Sequence, residues 1–253
     1  MKTNSQSWLA LIGLFQLEEG DNSFGTRTTN KIILPQFNQE QCGSFHRENG
    51  KISLTPINNS NLTINKMSPG PLFLCTDRDE EPDRIEIGSL TMMILQRGDN
   101  FLLRVWDGDS MALKGFAGLK YFPVNEKYRI MTKFITYDPP RAIRILDVIG
   151  TEYEGHLCGE AHFTLDGADC SLVAEEDGDE LLFSFTDKTR EDMTYPGGRF
   201  LVAAQPRKNC VILDFNQAVN WPCAYTSFAT CPLPPNENHL AVRIEAGEMR
   251  YQE

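Results

Sequence analysis

The sequence has no basic stripe: 24 Lys and Arg stand against 35 Asp and Glu, a net charge of −11. Binding to a phosphate backbone draws its affinity from counterion release at clustered Lys and Arg, so no nucleic-acid partner is expected. The longest charge run, Glu175-Glu176-Asp177-Gly178-Asp179-Glu180, is acidic and would repel anionic headgroups, which argues against a membrane surface. Histidines number four and show no triad spacing. There is no G-x-S-x-G, H-E-x-x-H, phosphate-binding P-loop or G-x-G-x-x-G, so no common hydrolase, zincin or nucleotide motif is signalled, and no cofactor is expected. Seven cysteines include no C-x-x-C, and the closest two, Cys223 and Cys231, are eight apart. Neither a zinc knuckle nor a redox motif is indicated, and the odd count favours free thiols.

Long apolar runs are missing too. The stretch Trp8–Leu17 is broken by Gly13 and Gln16 and followed by Glu18-Glu19-Gly20-Asp21, where a signal peptide would carry small residues. Nothing approaches the roughly 20 apolar residues of a spanning helix. A soluble cytoplasmic protein is the expectation, and the sequons at Asn58 and Asn61 read as chance matches.

What is present is ordinary globular material, 41% hydrophobic and 23% charged with 15 Phe, long enough for one large or two small cores. Helical periodicity is scarce, Ser5–Leu11 being the best short candidate. Short alternating segments punctuated by Gly, Asp-Gly and Pro predict a mainly β protein of antiparallel sheets. In the first half these are Lys31–Leu34, Lys51–Thr55, Leu62–Asn65, Arg84–Ile87, Thr91–Gln96 and Phe101–Trp106, with hairpin turns at Asn49-Gly50 and Gly98-Asp99-Asn100. In the second they are Tyr128–Tyr137, Arg141–Ile149 after a Pro-Pro break, Ala161–Leu165, Asp169–Glu175, Leu181–Thr186, Arg199–Ala204 and Val211–Phe215. The aperiodic stretch from Asp107 to Pro123 puts a boundary near residue 110. Two β domains are expected, a sandwich over 1–110 and a barrel or sandwich over 111–253 that ends in a long irregular segment. Residues 127–253 carry 12 basic and 20 acidic side chains, so most of the acidic excess lies there.

Three groups of residues carry candidate chemistry. His156, Cys158, Glu160 and His162 would share one face of a strand and are metal-competent, but Gly155 and Gly159 weaken the strand, and a half-exposed polar strand accounts for them without a metal. Thr194-Tyr195-Pro196-Gly197-Gly198-Arg199-Phe200 leaves Arg199 at the mouth of a strand. Its guanidinium is suited to a carboxylate or phosphate ligand, or to a structural salt bridge with an acid such as Asp214. From Asp214 to His239 runs a segment rich in Pro, Asn and aromatics, either functional or a fixed wrap around the core. In it Asp214, Asn216 and Asn220 could bind backbone or a ligand, and Cys223 would need a base such as His239 to become a nucleophile.

Several of these segments resemble a catalogued family. Phe185-Thr186-Asp187-Lys188-Thr189, Thr194-Tyr195 through Gly198-Arg199-Phe200-Leu201, Asp214-Phe215-Asn216, Cys223-Ala224-Tyr225, Cys231-Pro232-Leu233-Pro234-Pro235 and Glu245-Ala246-Gly247-Glu248 look like the signature of a domain of unknown function, DUF1684. The likeness extends to Trp8–Phe15, Leu17-Glu18-Glu19-Gly20, Phe24-Gly25 and Tyr121-Phe122-Pro123-Val124. It departs at Ala218-Val219-Asn220-Trp221-Pro222-Cys223, where Val219 replaces a tyrosine. The resemblance implies kinship without a chemistry. A fainter similarity in the first half is to forkhead-associated domains, through Phe24–Arg27, Asn30–Pro35, Gly50–Leu54, Ile64-Asn65 and Ile85–Gly88. It implies a sandwich in which Arg27 and the loop near Asn61 would face a phosphopeptide, while Cys42-Gly43-Ser44-Phe45-His46 does not reproduce that family's Ser-Arg-x-His element.

Two readings result. In the first the protein is a binding module for a small anionic ligand or a protein partner, with a cleft expected at the junction of the two domains and Tyr195, Arg199, Asp214, Asn216, Asn220, Cys223 and Tyr225 as its candidate residues. In the second it is an enzyme on a small anionic substrate, with Arg199 as anchor, Asp214 as base and Tyr225 as proton donor. Adaptor roles, structural or degenerate phosphopeptide-binding, are the further alternatives. The oligomeric state is left open.

Overall fold

The computed structural model describes residues 4–34, 39–57, 60–68 and 73–251, so Pro35 and the sequon at Asn58 lie outside the described residues. The architecture is mainly β, with one α-helix of four residues, Met111–Lys114, among the described residues. Backbone contacts divide the chain into two units, Met1–Phe116 and Ala117–Glu253.

Unit 1 contains two sheets. The first has the order β1-β9-β8-β7-β6, from β1 (Leu11–Gln16), β6 (Thr63–Ile64), β7 (Ile85–Ile87), β8 (Leu90–Arg97) and β9 (Asn100–Asp107). The second has the order β3-β2-β4-β5, from β2 (Gly20–Gly25), β3 (Ile32–Ile33), β4 (Gly43–Glu48) and β5 (Lys51–Pro56). Inward residues of both sheets form one core, including Phe24, Phe45, Ile52, Ile85, Met92 and Leu103, which makes the unit a sandwich. Phe24 and Phe45 pack with ring centroids 4.8 Å apart. Ser5–Leu11 does not form an α-helix: a 3-10 turn at Trp8–Ala10 leads directly into β1. Arg27 is paired with Glu40, and His46 with Asp21 at 2.7 Å, so both side chains are occupied within the unit.

Unit 2 is built on one antiparallel sheet of seven strands in the order β15-β10-β11-β12-β13-β14-β16. The strands are β10 (Arg129–Leu146), β11 (Glu152–Leu165), β12 (Ala168–Asp177), β13 (Glu180–Phe185), β14 (Arg199–Ala204), β15 (Cys210–Asp214) and β16 (Val219–Asn220). The sheet stays open, with β15 and β16 at its edges. Pro139-Pro140 does not end a strand. β10 runs through it, and the pairing with β11 jumps from Thr136–Gly159 to Arg141–Leu157, a bulge that leaves both prolines out of the ladder where no N–H is needed.

Phe163, Phe183, Phe185 and Phe215 fill the core of this unit. Its inner face is closed by the C-terminal run, in which Leu240, Val242, Ile244 and Ala246 alternate into the core as a strand would, although they pair with no strand. Asn238 replaces a missing piece of ladder. β12 and β13 pair only from Glu175–Leu182 to Asp177–Glu180, and where they part the buried Asn238 amide accepts from Val173 N at 2.8 Å and donates to Val173 O and Ser184 O at 2.9 and 2.7 Å.

Candidate functional site

The second unit holds its C-terminal run with a buried ion pair. The register Phe185–Arg199 sets the end of β13 beside the start of β14, and the chain between them turns through Lys188–Glu191. Asp187 caps that turn, accepting from Thr189 N at 2.9 Å and Thr189 Oγ1 at 2.7 Å. Its second oxygen accepts from Arg199 Nη2 at 2.8 Å. Arg199 is 1% exposed and donates also to the carbonyls of Ala246 and of Ile244, the latter at 3.0 Å, while Ile244 N donates back to Asp187 at 3.0 Å. Burial lowers the Arg199 pKa from its ordinary value, and Asp187 opposes that shift. Arg199 thus pairs with Asp187 and not with Asp214, and its fork is spent on the protein's own C-terminal run.

Asn220 and Tyr225 converge on a carboxylate that sequence reasoning left without a role. Glu248, 2% exposed, accepts from the Tyr225 hydroxyl and from Asn220 Nδ2 at 2.9 Å. Burial raises the Glu248 pKa, against the pull of these donors, and burial and the hydrogen bond to Glu248 together raise that of Tyr225. Gly247 allows this approach: its φ is +74°, and a Cβ there would lie 2.5 Å from Ala218 O.

Asp214 and Asn216 form a separate cluster. Asp214 accepts from Asn216 Nδ2 at 2.9 Å and Gln217 Nε2 at 3.0 Å, and Asn216 clasps the backbone of Asn125 in both directions at 3.0 Å. Burial would raise the Asp214 pKa, but the amide donors outweigh it and the net shift is downward. Tyr195 and Cys223 are neighbours in another place, where Cys223 N donates to Cys231 Sγ at 3.2 Å. The His239 ring bonds Thr186, so it is engaged elsewhere than with Cys223. The His156, Cys158, Glu160 and His162 face is broken by a register shift between Leu157 and Gly159 that turns Cys158 inward onto Ala174 O. No group of three potential metal ligands occurs among the described residues.

The seven residues singled out in the sequence therefore fall into three groups, because Arg199 also donates to Glu248 O at 3.4 Å and pairs with Asn220 across β14 and β16, and none of them lines the groove of about 410 Å³ on this unit. The groove is walled by Arg144, Thr186, Arg190, Pro196-Gly197, Pro234-Pro235 and His239, among others. The Thr186 hydroxyl and His239 Nδ1 are hydrogen-bonded at its wall. Partial burial and then the nearby Arg190 lower the His239 pKa, which keeps the ring neutral at pH 7. Arg144 reaches Glu152 at 3.4 Å with both side chains largely exposed, a pair of little worth. The Arg190 guanidinium has no hydrogen-bond or ion-pair partner among the described residues. No sequence pattern marks Arg144 or Arg190, which come from distant segments; Thr186 lies in a family-like motif and His239 in the irregular tail.

A family model described as "Protein of unknown function (DUF1684)" matches residues 114–249. The chain belongs to the DUF1684 family. The matched DUF1684 region contains every residue of the ion pair, the Glu248 cluster, the thiol pair and the groove. Among solved structures, an uncharacterized protein of Haloarcula marismortui determined by NMR is 29% identical, over 54% of this chain and 78% of that one, with a TM-score of 0.46. No curated protein matches the chain.

Proposed function

We propose that the DUF1684 unit is a binding module for a small anionic ligand, a carboxylate or phosphate held in the groove by Arg144 and Arg190. The observation that carries this is the free Arg190 guanidinium at a concave wall, in a half of the chain where acids outnumber bases 20 to 12. In such surroundings an uncommitted guanidinium beside a second, weakly paired one is a local well of positive potential, and the flanking prolines, Thr186 hydroxyl and imidazole supply apolar wall and hydrogen bonds. Arg199 does not line the groove; it joins the end of β13 to the start of β14 through its ion pair with Asp187.

A second reading, catalysis on the bound anion, has one observation in its favour, the Thr186–His239 hydrogen bond with a neutral imidazole. Thermal shift and calorimetric titration with inorganic phosphate and with citrate test the first reading. A ligand should raise the melting temperature with concentration, and Arg190→Ala should weaken binding by about tenfold, one charge-assisted contact. Equal affinity in Arg190→Ala and wild type would remove the groove as the site. Turnover of a bound anion that His239→Gln abolishes without loss of binding would select the enzymatic reading.

A further inference from the structure

Of the seven cysteines, two are set apart by their surroundings. Cys42 and Cys158 are buried and burial pushes both thiols up to about 11, which makes them inert. Cys75 and Cys210 are exposed and stand in separate units of the chain, and burial raises Cys170. Cys223 and Cys231 are brought together by the fold. The 3-10 turn Pro222–Ala224 points Cys223 N at Cys231 Sγ, 3.2 Å away, which brings the Cys231 sulfur against residue 223. Cys223 is half-buried, whereas Cys231 is 4% exposed beneath it. The Tyr195 side chain is the other neighbour of the Cys223 sulfur, and Gly197 packs against its ring so closely that a Cβ there would fall 2.4 Å from it. The bond from Cys231 and then that from Tyr195 lower the Cys223 pKa well below the ordinary thiol range, against its burial, while burial and the neighbouring sulfur raise that of Tyr195 and keep it a donor. A reachable sulfur stabilised as thiolate, with a second sulfur in contact and shielded from solvent, is the arrangement of an attacking and a resolving thiol.

We propose that Cys223 and Cys231 form an oxidation site, in which a hydroperoxide converts the dithiol to a disulfide. The Cys223 thiolate attacks one peroxide oxygen; the S–O bond forms, the O–O bond breaks, and the leaving alkoxide or hydroxide takes a proton from solvent. Cys231 then loses its proton and attacks the resulting sulfenic sulfur; the S–S bond forms, the S–O bond breaks, and the oxygen leaves as water. Two thiols and one hydroperoxide become one disulfide, one alcohol or water, and one water. The two sulfurs are oxidised and the peroxide is reduced by two electrons.

The test is intact-mass and peptide-mapping spectrometry of the full chain treated with hydrogen peroxide. The folded wild type should lose two hydrogens, regain them with dithiothreitol, and yield a peptide spanning 209–243 in which Cys223 is linked to Cys231 while Cys210 still takes iodoacetamide. Cys231→Ser should leave Cys223 as a sulfenic acid that dimedone traps, and Cys223→Ser should show neither product. Tyr195→Phe should slow alkylation of Cys223 about threefold near neutrality and move its pH–rate profile upward, a shift that mere loss of packing would not give. Should a variant misfold by circular dichroism, the wild-type peptide map decides alone. The proposal is overturned if folded wild type keeps seven free thiols under peroxide, or if the two hydrogens are lost from any other pair.

Discussion

Replacing Arg199 by Met keeps the apolar stem of the side chain and removes its charge, so it isolates what the guanidinium does. Asp187 would keep its contacts with Thr189 and Ile244 N through one oxygen, but the oxygen 2.8 Å from Arg199 would lose its cation. The carbonyls of Ile244 and Ala246 would lose their donor in the same step. Both partners are at or below 2% side-chain exposure, so water cannot compensate without opening the core. Breaking a buried pair by removing one partner costs roughly 3–5 kcal/mol. For a unit of this size that is a fall in melting temperature of about 10–20 °C. Urea denaturation followed by hydrogen–deuterium exchange of peptides from β13, β14 and the 240–250 run reports on this unit specifically. The run should lose protection before β11 and β12 do, because Arg199 is its tether. Adding Asp187→Asn to Arg199→Met should recover part of the loss, since the stranded charge is gone. A loss below about 1 kcal/mol, or a double variant as unstable as the two single losses summed, would refute the assignment of Arg199 to holding the C-terminal run.

Gly247→Ala forces an L side chain to φ +74° and sets its Cβ against two carbonyls, so it should cost about 2 kcal/mol or more in urea denaturation. For Glu248, burial raises the folded-state pKa above the 4.5 of an ordinary glutamate, so the group's contribution to stability is complete below pH 4.5 and is lost as pH rises through the folded value. Glu248→Gln should flatten that part of the stability–pH curve, as read from urea midpoints; an unchanged slope would place the effect in another group. His239 titrates below 6.5 in the folded chain, so phosphate affinity should rise as pH falls through that range and the rise should vanish in His239→Gln.

The strands that a period-two reading finds are those with unbroken alternation. β14 coincides with Arg199–Ala204, and β8 and β9 extend Thr91–Gln96 and Phe101–Trp106 by one residue at each end. The strands that escape it contain glycine for reasons that only tertiary contacts reveal. Gly43 in β4 and Gly25 in β2 face backbone so closely that a Cβ would fall 2.6 Å from Thr55 O and 2.4 Å from Glu40 O. The period-two reading assigns no strand to either segment. For the site, the motif carrying Arg199 marked a real constraint, but the partner lay twelve residues upstream and the acceptors some forty-five downstream, on a run with no hydrogen-bonded strand to betray it. The groove residues were illegible for a simpler reason: Arg144, Arg190 and His239 meet only because β10, the turn after β13 and the irregular tail end at one place.

That tail is also the last part of the unit to be synthesised. When Phe163, Phe183, Phe185 and Phe215 have left the ribosome and the strands can begin to pair, Leu240 to Ala246 do not yet exist to cover them. Arg199 meanwhile has Asp187 but no carbonyls to bind. The nascent sheet therefore presents an uncovered aromatic face for the interval between its own emergence and that of about thirty further residues, a few seconds at ordinary elongation rates of about 5–20 residues per second. A chain that ended short of Ile244 would lack the residues that cover that face.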